Sequence, residues 1–191
     1  MKNASPTRIH ITGASGAGCT TMGQALAGRL EWPLLDTDDY YWHATVPLFQ
    51  QKREPAERNV MLKRDLAAHP QCVISGSVMR WDSDLDDAFD LVVFLHVPDE
   101  VRLPRLIARE TERFGTPDAE FIAWAATYET ADLTTRSLAL HRQWLAERRC
   151  DILPITGNYT VEANVVRILN HLGKTSYLSP TPSPCPTCSS T

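Results

Sequence analysis

The sequence predicts an α/β fold in which a five-stranded parallel sheet carries helices on both faces. Three observations point there. Strand-like runs alternate with helical patterns along the chain. Four of the five strand candidates are short apolar runs without polar alternation, as expected of strands buried on both sides. Several of these runs end in turns rich in glycine and polar residues. The 191 residues suit one domain. With 43% hydrophobic and 22% charged residues, global disorder, a collagen and a disulfide miniprotein are excluded.

The elements follow in order. Residues 1–6 read as a flexible arm. A strand at 7–12 enters a glycine-rich turn, and a helix follows from about Thr20, with Met22, Leu26 and Leu30 on one face. A second short strand at 32–36 ends in a carboxylate. Residues 40–52 lack a clear period and read as a loop or short helix. Pro55 suits the first turn of a helix reaching His69. Strands follow at 72–75 and 91–97, the second closed by Pro98. Asp99 is the expected N-cap of a helix to about Arg113. Helices at 121–128 and 137–149, a last strand at 151–155 and a helix at 160–172 capped by Thr160 complete the domain. The Ser/Thr/Pro-rich segment at 173–191 is expected to be disordered.

Composition limits the partners. The formal charge of −4 offers no general attraction for nucleic acid. The apolar runs are too short to span a bilayer. Five cysteines, an odd number, and no export signal point to reduced thiols in the cytoplasm. Cys185 and Cys188 form a lone C-x-x-C with no evident second ligand pair, so neither a metal nor a redox centre is expected there. The fifteen arginines against four lysines favour planar, bidentate contacts to oxyanions.

The chemistry concentrates after the first strand. Gly13, Ala14, Ser15, Gly16, Ala17, Gly18, Cys19, Thr20 and Thr21 join it to the first helix. Glycines at these offsets let backbone N–H groups converge on a phosphate, and the helix adds its positive end. The alternative is a tight turn that needs small residues for packing. Downstream, Asp36, Asp38 and Asp39 follow the second strand; in an extended segment Asp36 and Asp38 share one side. Such a pair can order a divalent cation or take a proton from a hydroxyl; the alternative is capping of a solvated turn. Tyr40, Tyr41, Trp42 and Phe49, interleaved with His43, Lys52 and Arg53, suit a flat acceptor or, equally, a small satellite core.

The glycine segment resembles the Walker A motif of P-loop NTPases. The chain length and the Asp36-Thr37-Asp38 element narrow the resemblance to the nucleoside-monophosphate kinase-like branch, which includes adenylate, shikimate and gluconate kinases. The resemblance implies a three-layer P-loop domain over 7–172, with a helical lid insertion at about 114–136. It implies ATP and Mg²⁺ as cofactors, a nucleotide and a small-molecule acceptor as partners, and phosphoryl transfer to a hydroxyl or phosphate. Thr20 and Asp36 would then serve the metal. Asp38 would serve the acceptor, with Tyr41, Trp42, Arg53 and Gly76 around it. Arg109 and Arg136 would stabilise developing charge.

One departure stands out. Cys19 occupies the position of the family's lysine. A thiol cannot supply that charge, so either a lid arginine replaces it or turnover is weak and the chain is a nucleotide-binding module. A nucleotidase without an acceptor is the further alternative. A cysteine at a helix N-terminus also invites a lowered pKa and oxidant sensitivity; the alternative is a small residue tolerated beneath the loop. Arg102, Arg105, Arg109 and Arg113 form one helical stripe. Beside Glu110 and Glu112 it reads equally as a solvated, salt-bridged face.

Overall fold

The computed structural model describes residues 7–173. The expected arm at 1–6, Cys185, Cys188 and nearly all of the expected tail lie outside them. All five expected strands form: β1 (Arg8–Gly13), β2 (Leu34–Asp36), β3 (Cys72–Ser75), β4 (Leu91–His96) and β5 (Asp151–Thr156). They build one parallel sheet in the order β2-β3-β1-β4-β5. The order changes direction at β1, so the turns leaving β1, β3 and β4 open a crevice at one edge of the sheet, where ligands bind in such folds.

The helices are α1 (Cys19–Leu30), α2 (Thr37–Tyr41), α3 (Pro55–Ala68), α4 (Ser83–Asp86), α5 (Asp99–Phe114), α6 (Ala119–Ala126), α7 (Leu138–Ala146) and α8 (Val161–His171). The periodic apolar face of α1 packs with α8 on one side of the sheet. Leu26, Ile168 and Leu169 are fully buried there against Ile9, Ile11 and Val93. Burial of each such side chain stabilises by roughly 1.5–3 kcal/mol. The opposite side is covered by α3, α4 and α7 through Leu62, Leu66, Leu85, Trp144 and Leu145. These two layers and the sheet make the three-layer fold.

Several boundaries differ from the expectation for local reasons. Pro98, not Asp99, holds the N-cap of α5, with no side-chain cap. The Asp99 carboxylate is drawn instead to Arg102 at 2.6 Å, because an ion pair outbids a backbone N–H. Thr160 does cap α8, accepting from the Ala163 amide at 3.2 Å. The expected loop or short helix at 40–52 divides: α2 starts earlier, at Thr37, and its end returns through an antiparallel bridge between Trp42 and Lys52. The helix α4, four residues long, is too short to show a period and is not among the expected elements. The segment at 114–136 holds its own helix, α6, beginning at Ala119 rather than 121 because Asp118 caps it.

Candidate functional site

The glycine segment forms the turn from β1 into α1. A Cβ on Gly13 would lie 2.4 Å from the Leu95 carbonyl oxygen, and one on Gly16 would lie 2.7 Å from that of Arg102. Gly16 and Gly18 adopt φ of +83° and +92°, where side chains are strained. A Cβ on Gly18 would meet nothing within 4 Å, so the crest of the loop faces open space. Gly18 is also the N-cap of α1 and offers no side chain to its first-turn amides. Those donors remain for a ligand, and an oxyanion suits them and the helix's positive end. Ala14 and Ala17 turn inward, while Thr20 and Thr21 are exposed.

Cys19 does not point at that space. It is buried in the α1/α8 core, and its Sγ would stand 3.3 Å from a Cβ at Gly13. Burial, strengthened by Asp36 and Asp38, pushes its pKa up to about 12 against an opposing pull from Arg136. Of the two readings of Cys19, the small residue beneath the loop is the one the geometry favours over an oxidant-sensitive thiolate: the helix end is too weak to offset desolvation of a thiolate. The residue is the small neutral group beneath the loop.

Two arginines brace the loop from below. Arg102 is fully buried and donates to the Ser15 carbonyl at 3.1 Å, to Asp99 and to the Ala125 carbonyl at 2.6 Å. Its guanidinium lies 5.1 Å from the Tyr128 ring centroid. The solvated face expected of the α5 stripe therefore fails at its first member. Arg105 reaches Asn158, and Arg109, 40% exposed, pairs with Glu110 at 2.8 Å. Arg113 lies over Phe49. The second brace is Arg136, whose Nη2 donates to the Gly13 carbonyl.

The carboxylates meet at the same edge. Asp36 caps α2, accepting from the Asp38 amide at 3.0 Å with one oxygen and from Ser75 Oγ at 2.9 Å with the other. Asp38 sits inside α2, not in extended chain, so the expected alternation does not apply. The pair still interact: desolvation, then the Asp36 charge, raise the pKa of Asp38, while Arg136 and Arg109 oppose this. Gly76, φ +105°, closes the site from β3; a Cβ there would overlap Thr37 Oγ1 at 1.9 Å. That hydroxyl accepts from the Ser77 amide at 3.0 Å, tying the β2 and β3 turns together.

The aromatic residues divide between core and cleft. Tyr40 is buried and donates to Asp65 at 2.9 Å. Tyr41 packs edge-on to Trp42 and stacks on Trp81. Arg58, from α3, lies 4.9 Å from the Tyr41 centroid and 4.4 Å from that of Trp81, and its buried Nε has no partner among the described residues. Arg53 donates to the Tyr40 and Trp42 carbonyls, to His43 Nδ1 and to Glu57. It therefore shapes this wall from within. Arg58 and Trp81 carried no signal in spacing or motif, and neither did the buried His10 and His141 behind the loop. His141 accepts or donates at Nδ1 to Tyr128 Oη at 3.0 Å and meets Thr12 at Nε2.

No protein-family model matches the chain. It is 41% identical over 174 residues to the uncharacterized protein YqaC of Bacillus subtilis, spanning 86% of this chain and 96% of that one. It is 34% identical over 118 residues to a shikimate kinase of Bacteroides thetaiotaomicron, spanning 56% of this chain and 66% of the enzyme. Among solved structures, the shikimate kinase of Acinetobacter baumannii in complex with shikimate superposes with a TM-score of 0.62 at 21% identity, over 87% of this chain and 92% of that one. That structure shares the fold.

Proposed function

The chain belongs to one family with YqaC and has the nucleoside-monophosphate kinase-like P-loop fold, and on that premise we propose that it binds ATP and transfers the γ-phosphoryl group to a small hydroxyl or phosphate acceptor. One observation carries the reading. The uncapped N-terminus of α1 and the crest of the glycine loop face open space beside two carboxylates. The loop from Gly13 to Thr21 cradles the phosphates through its amides.

The oxygen donors here, the exposed Thr20 hydroxyl and the Asp36 carboxylate, suit Mg²⁺. Bound with the nucleotide, Mg²⁺ would neutralise phosphate charge. Asp36, held in place by Ser75 and the Asp38 amide, would order the waters of that ion. Asp38 orients the acceptor and takes its proton; a pKa above the usual carboxylate range improves it as a base. Tyr41, Trp42 and Gly76 form the acceptor's surroundings, and Arg53 holds that wall. Arg58, stacked on Tyr41 and Trp81 and with its Nε free of a partner among the described residues, adds a cation, so an acceptor with an acidic group fits best. Arg136 offsets developing charge, and Arg109 joins it once released from Glu110.

The test is calorimetric titration of reduced protein with ATP, with and without Mg²⁺, followed by ADP release over a panel of acceptors that includes shikimate. Mg²⁺-sensitive binding and acceptor-dependent release are expected. Absence of binding would sink the reading. A second reading, a nucleotide-binding module without turnover, is favoured by Cys19; binding with no release for any acceptor would select it. Release that ignores the acceptor would mean a nucleotidase.

A further inference from the structure

The loop carries no cation of its own, yet one stands against it. Arg136 lies 123 positions beyond Gly13 in sequence and donates to that residue's carbonyl. Its Nε is buried without a partner among the described residues. Asp38 acts on it through space, with no hydrogen bond between them. Its side chain packs with Ser15 of the loop, Arg102 and Tyr128 around a void too small to hold a water molecule. Cys19 packs against Gly13 from the core side, so thiol and guanidinium address one residue.

The other nearby arginines already hold carboxylates, although the Nε of Arg102 is likewise without a partner among the described residues. Arg102 is matched by Asp99 and two carbonyls, and Arg109 by Glu110. Arg136 alone of these three has no carboxylate bonded to it. A guanidinium taken from water without a bonded anion is a standing cost, which an oxyanion arriving in the loop would offset.

We propose that the positive charge which related loops carry on a lysine is supplied here by Arg136 from outside the loop, with Cys19 as the neutral half of the exchange. This rests on the nucleotide-binding reading above. Its consequence is that lysine at position 19 does not repair the loop. It would put an ammonium group beside a desolvated guanidinium, and like charges in a water-poor site repel strongly. The two positions should therefore tolerate one cation between them, at either place.

Four proteins test this: wild type, Arg136→Met, Cys19→Lys and the double variant. Each is melted without ligand, then titrated with MgATP and with inorganic tripolyphosphate. Arg136→Met should weaken both ligands at least tenfold. Cys19→Lys should melt below wild type and bind no better than it. The double variant should bind more tightly than Arg136→Met and melt above Cys19→Lys. Should Arg136→Met fail to fold, comparison of the double variant with Cys19→Lys still decides. Wild-type affinity in Arg136→Met, or a gain in Cys19→Lys alone equal to any gain in the double variant, would overturn the exchange and leave the nucleotide reading standing. A wild type that binds neither ligand would overturn both.

Discussion

The two faces of the sheet do different work, and β1 shows it within six residues. Ile9 and Ile11 point to the α1/α8 side and join a cluster that is mostly aliphatic. His10 and Thr12 point to the α7 side, where the buried groups beyond the core are polar: His141, Ser137 and, nearer the loop, Tyr128 and Arg136. One face is held by burial of hydrocarbon. The other trades part of that stability for groups that can be aimed. Phosphate chemistry needs positioned donors, and a purely apolar face has none to offer. Arg136 reaches the loop from the polar side, while Cys19 drops into the apolar one.

Breaking this contrast should hurt most on the apolar face. Leu26→Ala removes a fully buried side chain, and its unfolding free energy in urea should fall by about 2–5 kcal/mol. An effect below about 1 kcal/mol would mean that this face is not the main support. On the polar side, Asp38→Asn should preserve the melting temperature and MgATP affinity within a few-fold but reduce turnover about a hundredfold, or roughly 2.7 kcal/mol. Because the pKa of Asp38 is raised, wild-type turnover should decline on acidification at a higher pH than an ordinary carboxylate would dictate. A pH–rate profile with its acidic limb in the ordinary carboxylate range would argue against Asp38 as the base.

The buried histidines sharpen the comparison through pH. Desolvation lowers His10 to about 4 and His141 to about 3, from 6.5. The native state therefore refuses protons that the unfolded chain accepts. Above pH 6.5 their contribution is fully present, and it is lost as pH falls toward those lowered values. The slope should approach about 1.4 kcal/mol per pH unit for each histidine. Equilibrium unfolding between pH 7 and 4 measures it, and His10→Gln should flatten the curve. An unchanged slope in that variant would remove His10 from the account. The smallest expected effect returns to the apolar side: Thr160→Ala loses the α8 cap and should cost about 1 kcal/mol, visible as a modest drop in Tm.

What lay in the sequence alone was whatever depends on near neighbours. Glycines within six positions of one another can be read as a phosphate loop, because they govern φ and close approach at one turn. Apolar runs announce parallel strands, and Thr160 announces a helix start, because each acts within a single turn or pleat. Asp36 and Asp38 could be placed at the right edge, though not in the right conformation, since the helix between them depends on the Ser75 and Thr37 contacts from β3. Only the tertiary structure decided that Arg102 is a buried brace rather than part of a solvated stripe, that Arg58 meets Tyr41 and Trp81, and that Cys19 is buried beneath the loop. Each outcome depends on burial and on partners brought together from distant parts of the chain. Desolvation and charge pairing act through space, and spacing along the chain carries no record of them.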